Sequence, residues 1–105
     1  MGDKFEDDFT CAGGAFIAKY YCRIADNIGN NADLVDSIFA EGTDSKRSKT
    51  SSRVSCVKRI IREGESTKAL IKIRDSKIII RQNPEACRMS RQILEERFGV
   101  FNSVK

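Results

Sequence analysis

The sequence predicts an α+β fold with two N-terminal helices, a small antiparallel sheet and a C-terminal helix. Three observations support this prediction. Apolar residues recur at helical spacing before residue 42, two short runs rich in β-branched residues occupy 69–82, and a marked helix start stands at Asn83. At 105 residues, the chain is expected to form a single small domain, 1–105.

The first 42 residues predict an acidic arm followed by two helices. Residues 1–10 are polar and acidic and form the arm. A first helix is predicted over 12–28, where apolar residues recur every three or four positions, and Gly29 ends it. A shorter amphipathic helix follows and ends at Gly42, with these apolar positions: Leu34, Val35, Ile38 and Phe39.

Residues 43–53 predict a polar basic loop, because the segment TDSKRSKTSSR has no apolar residue. The segment 54–62 fits two interpretations. Its valines and isoleucines have the spacing of a helix, and their β-branched side chains suit a strand equally well. A third strand is favoured because a two-stranded sheet is marginally stable.

Residues 69–82 predict a β-hairpin, with Asp75-Ser76 as its two-residue turn. Side chains alternate along a strand, so four isoleucines would share the apolar face: Ile71, Ile73, Ile78 and Ile80. Four basic residues would share the opposite face: Lys72, Arg74, Lys77 and Arg81. The hairpin therefore predicts a cationic surface.

A helix over 84–98 has clear signals at both ends. Asn83 is a favourable N-cap, and Pro84 suits the first helical position because the N–H that it lacks would have no helical partner. Gly99 supplies the residue that ends the helix in a left-handed conformation. These local signals predict the C-terminal helix without any tertiary information.

The charge is distributed unevenly along the chain. Residues 1–45 contain 3 basic and 9 acidic residues, a net charge of −6, and residues 46–105 contain 16 basic and 6 acidic residues, a net charge of +10. This asymmetry predicts an anionic partner for the second half. The alternative is that the two halves pack together and neutralise each other.

The sequence predicts a non-enzymatic nucleic-acid-binding module, an RNA backbone binder or a ribonucleoprotein component. The candidate binding residues lie in the loop and the hairpin: Lys46, Arg47, Lys49, Lys72, Arg74, Lys77 and Arg81. The element order and basic character resemble small α/β RNA-binding modules, such as the double-stranded RNA-binding domain and small eukaryotic ribosomal proteins. Asn83-Pro84-Glu85 stands where that domain has a basic helix start, so no family is assigned.

The four cysteines, Cys11, Cys22, Cys56 and Cys87, suggest an alternative function. Cys11 and Cys22 would lie about 16 Å apart in one continuous helix, so each would need Cys56 or Cys87 as a disulfide partner. Two disulfides would indicate a secreted, stapled interaction protein of the effector, toxin or inhibitor type. Four reduced thiols would indicate an intracellular protein, the location that is slightly favoured.

Several chemistries are not expected. The chain has no histidine, no phosphate-binding glycine loop and no C-x-x-C pair, so we expect no enzyme activity, cofactor or metal. No apolar run is long enough to cross a membrane, so no membrane partner is expected. A third hypothesis is a protein-interaction subunit, with a homodimer formed through the edge of the hairpin.

Overall fold

The computed structural model describes residues 4–29, 31–42 and 44–100, and the regular secondary structure in these ranges is entirely α-helical. It contains α1 (Lys4–Ala12), α2 (Gly14–Asp26), α3 (Asn31–Phe39), α4 (Arg47–Arg62), α5 (Ser66–Arg74), α6 (Lys77–Gln82) and α7 (Pro84–Phe98). No strand occurs in the described residues. The predicted α+β fold is therefore wrong, and the protein is all-α.

Helix α2 lies between two groups of helices. On one side, α4 packs against α1, α2 and α3, and on the other, α7 packs against α2, α5 and α6. The side chains of Ile17 and Ile24 on α2 are at most 1% exposed. Burial on both sides explains why α2 has apolar residues around most of its circumference.

The predicted hairpin 69–82 is replaced by α5 and α6. Ala69, Leu70 and Ile73 have helical spacing and are all buried in the core. The isoleucines expected on a common apolar face separate, because Ile78 is 68% exposed while Ile73 is buried. Without a hairpin in the described residues, the strand edge proposed for a homodimer does not exist either.

The residues taken for a hairpin turn start a helix instead. Ser76 is the N-cap of α6, and its hydroxyl accepts a hydrogen bond from the backbone N–H of Ile79 at 3.2 Å. Asp75 follows α5 and forms its C-cap. Asp and Ser suit both tight turns and helix caps, so this dipeptide could not distinguish the two structures.

Residues 54–62 lie in α4, so the predicted third strand is also wrong and the helical alternative describes them correctly. The predicted loop 43–53 is corrected as well. Thr43 lies outside the described residues, 44–46 precede the helix, and 47–53 form its first two turns. Thr50 anchors these turns, since it is fully buried and its hydroxyl donates to Asp44 at 2.8 Å.

The N-terminal region has one more helix than predicted. The described part of the acidic arm forms α1, whose Phe5 and Phe9 are buried. Gly13 separates α1 from α2 with a φ of +86°, a left-handed conformation that favours glycine. Helices α2 and α3 lie close to the two predicted helices.

Helix α7 begins and ends as the sequence predicts. Asn83 Oδ1 accepts from the N–H of Ala86 at 3.2 Å, and Gly99 has a φ of +65°. The N–H of Val100 then donates to the carbonyl of Leu94 at 2.9 Å and closes the last turn.

Candidate nucleic-acid interface

Helix α4 concentrates positive charge. Arg47–Arg62 contains six basic and no acidic residues, and Lys46 at the N-cap adds a seventh positive charge. One face is buried, and it includes Val54, Val57 and Ile60. The opposite face presents an exposed ridge at alternating four- and three-residue spacing: Ser48, Ser52, Ser55, Arg59 and Arg62.

A cationic pocket of about 370 Å³ adjoins this ridge. Its lining combines three basic residues and a serine of α4 with the chain that follows α2: Ser55, Lys58, Arg59, Arg62, Ile28 and Gly29. Lys58 is only 6% exposed, and burial, together with the positive charge of Arg62, lowers its pKa. The lining of the pocket therefore concentrates positive charge.

Arg59 already forms an ion pair within the fold. Its Nε contacts both carboxylate oxygens of Asp8, at 3.0 and 3.1 Å, and this hydrogen bond raises the pKa of Arg59. Arg59 and Arg62 also lie in the last turn of α4, where cations interact favourably with the helix dipole. Charge in the last turn is therefore weak evidence for a ligand, and the pocket is the stronger evidence.

A larger groove of about 480 Å³ lies between α2, α4 and α7. Its rim carries Lys19 and Arg53 but also Glu41 and Glu85. Glu41 accepts hydrogen bonds from Arg23 and Tyr20, and these two donors lower its pKa. A groove with both signs of charge is less suited to a polyanion than the pocket on α4.

Three of the seven predicted binding residues form ion pairs within the chain. Arg47 pairs with Asp36, Lys72 pairs with Glu6 at 3.4 Å, and Arg74 pairs with Asp75 at 2.9 Å. Lys72 also lies over the Phe9 ring, 5.3 Å from its centre. These three side chains are thus partly neutralised by the fold itself.

The other four predicted residues, Lys46, Lys49, Lys77 and Arg81, are exposed. None of the four has an ion-pair partner among the residues that the structure describes. Lys46 and Lys49 lie at the start of α4, and Lys77 and Arg81 lie on α6. The seven residues are distributed over three helices and their caps, so the common cationic hairpin face that the sequence predicts does not exist.

The uneven charge distribution is partly balanced by folding. Five ion pairs join an acidic residue of 1–45 to a basic residue of 46–105. Their members are Asp36–Arg47, Asp44–Arg53, Asp8–Arg59, Glu6–Lys72 and Asp26–Arg97. The two halves therefore neutralise each other in part, while α4 keeps exposed positive charge. The anionic partner stays a prediction.

The residues predicted from the sequence did not include Lys58, Arg59 and Arg62, which line the pocket. The signal was present, because residues three and four positions apart share one face of a helix. Assigning 54–62 to a strand concealed it, since neighbouring residues then point to opposite faces. With the helical alternative, the pocket residues could have been grouped from the sequence.

The four predicted disulfide cysteines are free thiols that lie in different surroundings. Cys11 on α1 is exposed, Cys56 on α4 is buried, and the Cys11 thiol contributes to the raised pKa of Cys56. Cys22 on α2 is half-buried, and Cys87 on α7 is buried and donates to the carbonyl of Ile73 at 3.2 Å.

Comparisons with protein-family models, curated proteins and solved structures give no match to this chain. In the described ranges, no helix is long and apolar enough to span a membrane. Within the same ranges, no cluster of three or more Cys, Asp or Glu side chains is arranged to hold a metal ion.

Proposed function

We propose that the protein is a non-enzymatic module that binds the phosphate backbone of nucleic acid, with RNA as the favoured partner. The observation that carries the proposal is the pocket on α4, where Lys58, Arg62 and Ser55 line one cavity. Basic side chains attract phosphate by charge, and a serine hydroxyl donates a hydrogen bond to its oxygens.

The ridge beside the pocket supports extended contact with a polyanion. From Ser48 to Arg62 it follows α4 for about 21 Å, at 1.5 Å per residue. Helix α4 contains no aromatic residue on which a base could stack. We therefore expect contacts to the backbone, weak preference for sequence and strong dependence on salt.

The test measures binding of the full chain to three labelled oligonucleotides by fluorescence anisotropy: single-stranded RNA, double-stranded RNA and double-stranded DNA. Each titration is repeated from 50 to 200 mM salt. We expect affinity to fall as salt rises, because bound cations release counterions from the phosphates. Absence of binding at low salt, or affinity that does not change with salt, would refute the proposal.

A matched pair of variants separates the α4 surface from net charge. The test variant carries Ser55→Glu and Arg62→Glu, and the control carries Arg91→Glu and Gln92→Glu on α7. All four residues are exposed, and both variants change the net charge by the same amount. We expect at least about tenfold weaker binding for the test variant alone. Equal losses of affinity in the two variants would show that net charge attracts the nucleic acid and that no defined surface binds it.

Single substitutions distinguish predicted binding residues that are exposed from those that the fold neutralises. Lys49→Ala removes an exposed charge beside the ridge, and we expect weaker binding and a shallower salt dependence. Lys72→Ala removes a charge that Glu6 already neutralises, so binding should change little. The helical content of each variant, measured by circular dichroism, controls for misfolding.

A secreted interaction protein with two disulfides is the second candidate function. The influence of the Cys11 thiol on the pKa of Cys56 supports one of the two disulfides. The second pair lacks such support. Cys22 lies near Arg97, at the far end of α7, and Cys87 precedes Arg97 by ten residues, about 15 Å along the helix. The nucleic-acid proposal is therefore preferred.

A further inference from the structure

Cys11 and Cys56 occupy facing positions in the contact between α1 and α4. Asp8 of α1 pairs with Arg59 of α4, and the carbonyl of Ala12 accepts from Arg53 at 2.6 Å. As residue numbers rise along α1, those of the partner residues on α4 fall, so the two helices run antiparallel. Cys11 lies one turn after Asp8, and Cys56 lies one turn before Arg59.

The influence of the Cys11 thiol on the pKa of Cys56 agrees with this register. Cys11 is exposed to solvent, whereas Cys56 is 5% exposed and has the Arg59 guanidinium 3.9 Å from its sulfur. Burial and the neighbouring Cys11 thiol raise the pKa of Cys56 to about 12, so Cys56 is protonated at neutral pH. An oxidant from solvent therefore reaches Cys11 first.

Cys22 and Cys87 do not form an equivalent pair. Cys22 of α2 lies near Arg97, and Arg97 is ten residues, about 15 Å along α7, beyond Cys87. Cys87 is also held by its hydrogen bond to the carbonyl of Ile73. Cys11 and Cys56 are thus the two cysteines that the register of α1 and α4 brings to facing positions.

We propose that Cys11 and Cys56 are a covalent modification site, where oxidation forms an internal disulfide that ties α1 to α4. With hydrogen peroxide as the oxidant, the Cys11 thiolate is oxidised to a sulfenic acid and peroxide is reduced, releasing hydroxide. The Cys56 sulfur then attacks the Cys11 sulfur, and the sulfenic hydroxyl leaves with the Cys56 proton as water. A thiol reductant reverses the reaction by exchange.

The disulfide would restrain a long segment of chain. It closes a loop that contains α2, α3 and most of α4, and so it reduces the conformational entropy of the unfolded chain. We expect the Tm of the oxidised protein to rise by about 10 °C. The proposal is independent of nucleic-acid binding, because neither thiol belongs to the phosphate pocket.

The test treats the full chain with hydrogen peroxide, alkylates the remaining thiols under denaturing conditions and measures the intact mass. We expect two alkylated cysteines, a linked pair of tryptic peptides covering 5–19 and 54–58, and the rise in Tm. Four alkylated cysteines after treatment would overturn the proposal. So would a disulfide that includes Cys22 or Cys87, or one that joins two chains.

Two single variants give the controls. Cys11→Ser changes an exposed residue, so the fold should persist while the disulfide and the rise in Tm are lost. Cys22→Ser removes a thiol outside the proposed pair and should retain both effects. A rise in Tm of the oxidised Cys11→Ser protein would show that the stabilisation has another source, and it would overturn the proposal.

Discussion

Helices α4 and α6 have similar composition but very different surroundings. Both are rich in β-branched residues, and both suit strands by propensity. In α4, Val54, Val57 and Ile60 are at most 2% exposed, whereas in α6 Ile78 and Ile80 are 68% and 50% exposed. Tertiary packing therefore keeps α4 helical despite the strand propensity of its β-branched residues. Helix α6 has little packing and depends on its N-cap and on the adjoining helices.

The largest expected effect tests this difference directly. Ile60→Ala should lower the free energy of unfolding by about 3 kcal/mol, because it leaves a cavity in the core. Ile78→Ala should change it by less than about 0.5 kcal/mol, because its side chain is largely in solvent. Urea unfolding followed by circular dichroism measures both. Similar losses for the two variants would show that α6 is buried in solution.

The helix caps provide a second comparison, between α6 and the well-packed α7. Asn83→Ala removes the N-cap of α7 and should cost about 1 kcal/mol. Ser76→Ala removes the N-cap of α6 and should cost less, because α6 has only six residues and none of them is buried. Urea unfolding again gives both values, and Asn83→Asp, which keeps a capping oxygen, serves as the control. A larger loss for Ser76→Ala would contradict the comparison.

The attachment of α6 to the core can be tested at Gly14. A methyl group added there would collide with Cδ1 of Ile79, the half-buried side chain that attaches α6 to α2. Gly14→Ala should cost about 0.5 kcal/mol, because the clash is partly offset by the better helix propensity of alanine.

Ile79→Val shortens the colliding side chain, and in that background Gly14→Ala should be neutral or stabilising. A double-mutant cycle of urea unfolding measures the coupling between the two positions. Strictly additive effects would show that Ile79 does not pack against Gly14.

The smallest expected effect lies in the link between α5 and α6. A hydrogen bond from Arg74 lowers the pKa of Asp75 below its ordinary value of 3.8. The ionised carboxylate therefore stabilises the fold above pH 3.8, and this contribution is lost as the pH falls through the lowered pKa.

Asp75→Asn should cost about 0.3 kcal/mol at pH 7, because the Asp75 side chain is 61% exposed and solvent screens the pair. The difference from the parent protein should disappear as the pH falls from about 4 toward 2. Urea unfolding at a series of pH values checks the sign. A difference that grows in acid would contradict this assignment.

The sequence predicted the parts of the fold that depend on local contacts. Asn83, Pro84 and Gly99 act through hydrogen bonds within a few residues, and α7 follows from them. Three consecutive isoleucines, Ile78–Ile80, fit a strand and a helix equally well, so only tertiary contacts decide between the two. The prediction of a sheet was wrong at Ile78–Ile80 and at 54–62.

Helix α1 shows a different reason for failure. Phe5, Phe9 and Ala12 have helical spacing, but the acidic residues between them favoured an exposed arm. The burial of Asp8 requires Arg59, which lies 51 residues later in the sequence. Such a pairing is a property of the folded chain, and no local pattern reveals it.

The candidate site was predictable in part. The basic residues at 46–53 could be identified from composition alone, and Lys46 and Lys49 remain exposed. Neutralisation of Lys72 by Glu6 depends on the packing of α5 beside α1, which no sequence pattern indicated. The pocket residues required the helical periodicity of α4 to be recognised first.

The exposed isoleucines of α6 also affect solubility. A run such as Ile78-Ile79-Ile80 has high β-propensity and no proline, so an unravelled α6 could stack into cross-β aggregates. Lys77 and Arg81 flank the run and act as charged gatekeepers that oppose such stacking. Even without a ligand, these two cations would oppose aggregation whenever α6 unfolds.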